Sequence, residues 1–260
     1  MREQEAGNAE QPAASSVLSP QSSALSPQSS VLSRGPSAVE MLARSAAVFR
    51  KDVTCEFRTR YAVNAILLFA VTTLVAVSFA VGGVGVSQSV QASLLWIIIY
   101  FSGMSGLARA FVREEEARTA TALRLAAAPG AVFGGKLLFN LALVGALEVI
   151  VVPLFVGMMD VRVEGWPLFL VILAVGSAGL AVSSTMVAAI VSRANVKGAL
   201  FAVLSLPLLL PVLIGGIRGT QAALSSAVFG AGMEWVKLLV AYTGIMFVLS
   251  LLLFRFIWED

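Results

Sequence analysis

The chain has 260 residues, 58% of them hydrophobic and only 13% charged, with a mean hydropathy of +0.89. Soluble domains carry about a quarter charged residues, so this composition excludes an ordinary soluble enzyme and points to a polytopic membrane protein. There is no His and a single Cys, Cys55. That excludes His metal sites, Ser–His catalysis, an internal disulfide and a Cys-only metal cluster in this chain.

Residues 1–36 form a tail rich in Ser, Pro, Gln and Ala, in which the unit Leu-Ser-Pro-Gln-Ser-Ser repeats from Leu18 and from Leu25. Such a segment cannot bury enough apolar surface to offset its ordering entropy, and it is expected to be disordered. It lacks the apolar core of a secretory signal, and Arg2 and Arg34 are its only basic residues.

The remaining 37–260 read as one membrane domain. Over 37–60, Val39, Leu42, Ala46, Phe49, Val53 and Phe57 recur at helical spacing, and Ser37 and Glu40 have capping-box spacing. The other face carries Arg44, Arg50, Lys51, Asp52, Glu56 and Arg58. The pattern predicts an amphipathic helix lying in the membrane interface, against the alternative of a soluble helix packed on a partner.

Six apolar runs follow, at 62–82, 92–112, 131–158, 166–191, 198–215 and 236–258. Each is long enough to cross a hydrocarbon core of about 30 Å. Pro207 and Pro211 interrupt the fifth. Segment 216–235 is too polar to span and is expected to form a pair of short re-entrant helices on the outside. With six spans, 15 of the 18 Lys and Arg fall on one side, which predicts a multi-pass protein with both termini cytoplasmic.

The chain has neither of the Gly-rich phosphate-cradling motifs of nucleotide-binding loops, so no nucleotide site is expected in it. Residues 113–128 read as a short charged cytoplasmic helix. Arg113, Glu114, Glu115 and Glu116 open it, Arg118, Leu123 and Arg124 follow, and Pro129-Gly130 stops it. Docking on a soluble partner and a solvated loop helix are the two readings of that segment. Within the third run, Asn140 and Glu148 are intramembrane polar candidates. Glu148 is expected to be either a functional polar contact or a neutral carboxyl bonded between helices. Gly145 would let a neighbour approach, and Lys136 is expected to snorkel to the interface. Small residues at Ser102 and Gly106, and at Gly179 and Ser183, fit close packing within the chain or a homodimer seam.

Taken in order, several segments resemble the CcmB family, the membrane permease of the ABC-type complex for cytochrome c maturation. They are Phe49-Arg-Lys-Asp-Val-Thr-Cys-Glu-Phe-Arg58, Phe111-Val-Arg-Glu-Glu-Glu116 leading to Leu123-Arg-Leu125, Pro129 and Gly135-Lys136, Leu206-Pro-Leu-Leu-Leu-Pro-Val-Leu-Ile214, and Phe254-Arg-Phe256 with Glu259-Asp260. The resemblance covers about residues 40–260 and leaves out the tail. It implies an all-α fold of the ABC-2 type (type V-like), with six transmembrane helices, an N-terminal amphipathic interface helix and a cytoplasmic coupling helix. It also implies a bacterial inner-membrane homodimer that docks the ATPase CcmA and joins CcmC and CcmD. The implied task is delivery of haem to, and release of, the chaperone CcmE. Haem and ATP-Mg would then be handled by partner subunits, with no cofactor on this chain and no nucleic acid. The alternatives are an ABC-2 permease exporting a lipid, drug or polysaccharide, and a membrane scaffold without an ATPase.

Overall fold

An apolar run in lipid has no water to satisfy its amides, so each must close its hydrogen bonds internally, and the helix does this locally. The computed structural model describes residues 38–81, 85–107, 128–192 and 197–259, and among these there is no strand. Seven α-helices form: α1 (Ala38–Thr59), α2 (Tyr61–Val81), α3 (Gln88–Leu107), α4 (Pro129–Met158), α5 (Trp166–Ser192), α6 (Lys197–Ser225) and α7 (Met233–Glu259). All but α1 are long and apolar enough to cross a membrane. The tail 1–36 and the expected coupling residues Arg113, Glu114, Glu115, Glu116, Arg118, Leu123 and Arg124 lie outside the described residues.

Helix α5 is the central post. It packs most extensively on α6 and α7, while α4 joins it from the side and carries α1 and α2. Accordingly α5 is buried along most of its length. Outward-facing side chains such as Leu68, Phe79, Leu170, Ile245 and Leu252 are exposed on the bundle surface, as expected where lipid replaces water.

The fifth span differs from the sequence expectation. Helix α6 runs without a break through Pro207 and Pro211 and ends at Ser225. The pair of short helices expected over 216–235 does not form; a 3-10 turn at Phe229–Gly232 leads directly into α7. Two physical reasons account for this. Each Pro removes only one ladder bond, freeing the Val203 and Pro207 carbonyls, and the remaining rungs carry the helix through; between the two prolines the Tyr242 hydroxyl of α7 donates to the Leu208 carbonyl. Beyond Gly215 the helix is core, with Gly216, Gly219, Thr220, Ala223 and Leu224 all buried.

Close packing surrounds Trp96 of α3, which is fully buried. A Cβ at Gly176 would overlap the indole, and one at Gly216 would lie 2.5 Å from its Cε2. Two glycines, one on α5 and one on α6, therefore form a slot that only the missing side chains allow. The indole Nε1 donates to Thr220 Oγ1 at 2.9 Å, which settles the one polar atom of the ring. The small-residue pairs are also used within the chain: a Cβ at Gly106 would overlap Ile66, and one at Gly179 would lie 2.9 Å from Thr243 Oγ1.

Candidate coupling site

Helix α1 meets the bundle through a face that includes two residues of its polar side, Asp52 and Glu56. Ser45, Val48, Asp52 and Glu56, at spacings of 3, 4 and 4, are its buried positions. The apolar stripe points away from the bundle: Val39 is 76% exposed and Phe57 74%, with Leu42 also open and Phe49 half-buried. The mixed face expected for Arg44, Arg50, Lys51, Asp52, Glu56 and Arg58 thus divides in two. Asp52 and Glu56 turn inward, and the basic residues stay exposed.

Asp52 is 8% exposed and accepts an ion pair from Lys136 of α4, with Nζ 3.0 Å from Oδ2. Lys51 adds a second cation at 3.2 Å from Oδ1. Lys136 is only 3% exposed, so it does not snorkel as expected. The Asp52 carboxylate on the neighbouring helix compensates the ammonium where it stands. Helices α1 and α4 come close because Gly134 and Gly135 precede that lysine. A Cβ at Gly135 would lie 2.5 Å from Val48 Cβ and 2.8 Å from the Ser45 carbonyl oxygen. Gly135→Val is expected to cost about 1–3 kcal/mol through this overpacking. The readout is trypsin cleavage at Arg44, Arg50 and Lys51 in solubilised protein. Faster cleavage marks an undocked α1, and an unchanged pattern would refute the contact's importance.

Glu56 works at the other end of α1. Its Oε1 accepts the Val63 amide at 3.1 Å, satisfying one of the orphan donors in the first turn of α2, where a negative charge also suits the helix dipole. Between the two helices Arg60 adopts φ 51°, a left-handed value uncommon outside Gly. A fixed elbow therefore joins α1 to the first span.

The intramembrane candidates both sit on the α4–α5 seam. Asn140 is fully buried and its Nδ2 donates to Thr185 Oγ1 at 2.8 Å. Glu148 shares a short hydrogen bond with Ser177. Gly145, one turn away, has open space where a Cβ would be, so no described helix makes the close approach expected there.

One family pattern covers α2 to α6 entirely and most of α1 and α7, including Asp52 and its partner lysine. The description "CcmB protein" matches residues 43–257. The chain belongs to the CcmB family. It is accordingly a multi-pass membrane permease subunit of the ABC type, serving cytochrome c biogenesis within the Ccm complex. No curated protein matches the chain. The CcmB match leaves out the repeat tail and spans both ends of the α1–α4 joint. Trp96 was missed by sequence reasoning. A lone Trp in the interior of an apolar run, away from the span ends where Trp166, Trp235 and Trp258 fall, was the available signal.

Proposed function

We propose that this CcmB chain is the transmission element of the complex, converting ATP-driven closure of CcmA into release of haem-loaded CcmE. The observation that supports this reading best is the buried Asp52–Lys136 pair, which ties α1 to the first turns of α4. Helix α4 begins directly after the segment expected to dock the ATPase, so a push on either α1 or that segment reaches the same span. From α4 the displacement passes to α5 through Asn140 and Thr185. Nucleotide then biases a bundle with two packings, and the ligand supplies only the difference between them.

The exposed apolar stripe of α1, flanked by Arg50 and Arg58, fits a helix resting on the cytoplasmic leaflet. We read both termini as inside, in line with the distribution of Lys and Arg. Haem ligation is assigned to CcmC and CcmE, because this chain has no His and its lone Cys55 is exposed on α1. ATP-Mg is assigned to CcmA, CcmD completes the complex, and two copies of this chain form its centre.

The test is deletion of the gene, followed by haem staining of denatured membrane and periplasmic proteins. Loss of the covalent-haem bands, restored by the intact gene, with an ATPase co-purifying with the tagged chain, is the expected result. Unchanged bands with the ATPase still bound would assign another exported substrate. Absence of any ATPase would remove the transmission role.

A further inference from the structure

Helix α4 carries a carboxyl where a charge has nothing to balance it. Glu148 stands ten residues before the end of α4, about 15 Å along the axis. The elements packed on α4 are α1, α2, α3, α5 and α7. Helices α2, α3 and α5 contain no Asp, Glu, Lys, Arg or His, and the one ionisable group in the interior of α3 is Tyr100. Helix α1 meets α4 at Gly134–Lys136, about 18 Å from Glu148. Helix α7 offers Tyr242 in its interior, with Glu234 and Lys237 near one end and Arg255 near the other. Among the described residues, none of these cations pairs with Glu148.

The hydrogen-bond inventory offers a place for a proton on the carboxyl. Ser177 has one hydroxyl hydrogen. Its Oγ lies 2.7 Å from the Leu173 carbonyl, an acceptor only, and also in short contact with Glu148 Oε1. One hydrogen cannot serve both. If Ser177 donates to Leu173, as serines in spanning helices do one turn back, the contact with Glu148 closes only when the carboxyl brings its own hydrogen and donates to Ser177 Oγ. A neutral acid is also the form that hydrocarbon tolerates without a counter-charge.

The same carboxyl is reachable from the lipid. Gly145 leaves space beside it, and Ala142, Ala146 and Val149 on the adjoining surface of α4 are exposed. We propose that Glu148 is a resident protonated carboxylic acid at the α4–α5 seam, opening onto lipid through the Gly145 notch, and a modification site for apolar carbodiimides. The reaction balances without a leaving group. The carboxyl proton moves to one carbodiimide nitrogen, and the freed oxygen bonds to the central carbon. The resulting acylisourea rearranges by acyl transfer to nitrogen, giving a stable N-acylurea on Glu148.

The experiment treats the full chain in native membranes with dicyclohexylcarbodiimide and maps adducts by peptide mass spectrometry. An adduct on Glu148, with little coupling by a water-soluble carbodiimide and an added amine, is expected. No adduct on Glu148, or equal coupling by the water-soluble reagent, would overturn the assignment. Infrared difference spectra between the wild-type protein and Glu148→Gln give a second readout. Loss of a protonated-carboxyl C=O stretch is expected, and loss of carboxylate bands instead would overturn it. Labelling of the wild-type chain needs no variant, so poor accumulation of Glu148→Gln leaves the first readout decisive.

Discussion

Asp52→Leu destabilises the attachment of α1 by about 3–5 kcal/mol, the usual cost of removing one partner from a buried ion pair. The variant strips the carboxylate 3.0 Å from Lys136 Nζ while that lysine stays 3% exposed. The reciprocal change, Lys136→Met, is milder, because Lys51 still stands 3.2 Å from Asp52. The double variant Asp52→Leu/Lys136→Met recovers much of the loss, since two apolar side chains need no compensation. The measurement is thermal unfolding in detergent of the three variants and wild type, with ATPase co-purification alongside. Equal midpoints for Asp52→Leu and wild type would show that the pair contributes nothing to the joint.

Trp96→Ala is expected to lower stability by about 3 kcal/mol, the lower end of the range for deleting a large buried aromatic. The lower end applies because the apolar transfer contribution fades when the surroundings are lipid and not water. What remains is the cavity between Gly176 and Gly216 and the loss of the bond to Thr220. Trp96→Phe should fall between the two, filling part of the slot and leaving Thr220 Oγ1 without the indole donor. Thr220→Val tests the hydrogen bond alone, at about 1 kcal/mol. If Trp96→Ala accumulated normally and unfolded at the wild-type temperature, the slot would be incidental to the packing of α3, α5 and α6.

The spans were readable in the sequence because apolar run length maps directly onto helix length in a bilayer. Five of the six expected runs lie within a few residues of α2, α3, α4, α5 and α7. The fifth was misread, because Pro207 and Pro211 argue for a break only while the helix is considered alone. The packing that holds the helix beyond them, Gly216 on Trp96 and Gly219 on Ile172, is invisible to local reasoning. The existence of α1 was equally legible, but its direction was not. Asp52 and Glu56 look like solvent residues until Lys136 and the start of α2 are brought alongside. Lys136 has the same history, since its counter-charge lies far away in sequence. The coupling residues Arg113–Arg124 remain readings of the sequence.

The two prolines of α6 have a mechanical consequence. Beyond them the helix is clamped, with Gly215 against Leu239, Gly216 in the Trp96 slot and Gly219 against Ile172. Before them Val203, Leu204 and Leu206 are exposed on the surface, while Ser205 among them is fully buried. Pro207 and Pro211 each delete one rung of the ladder, so compliance is concentrated in the stretch between the clamped and open halves. The Tyr242–Leu208 contact sits in that stretch. The half beyond the prolines is therefore the anchored one, and any bend of α6 falls at Pro207 and Pro211, where Tyr242 of α7 already stands against the helix.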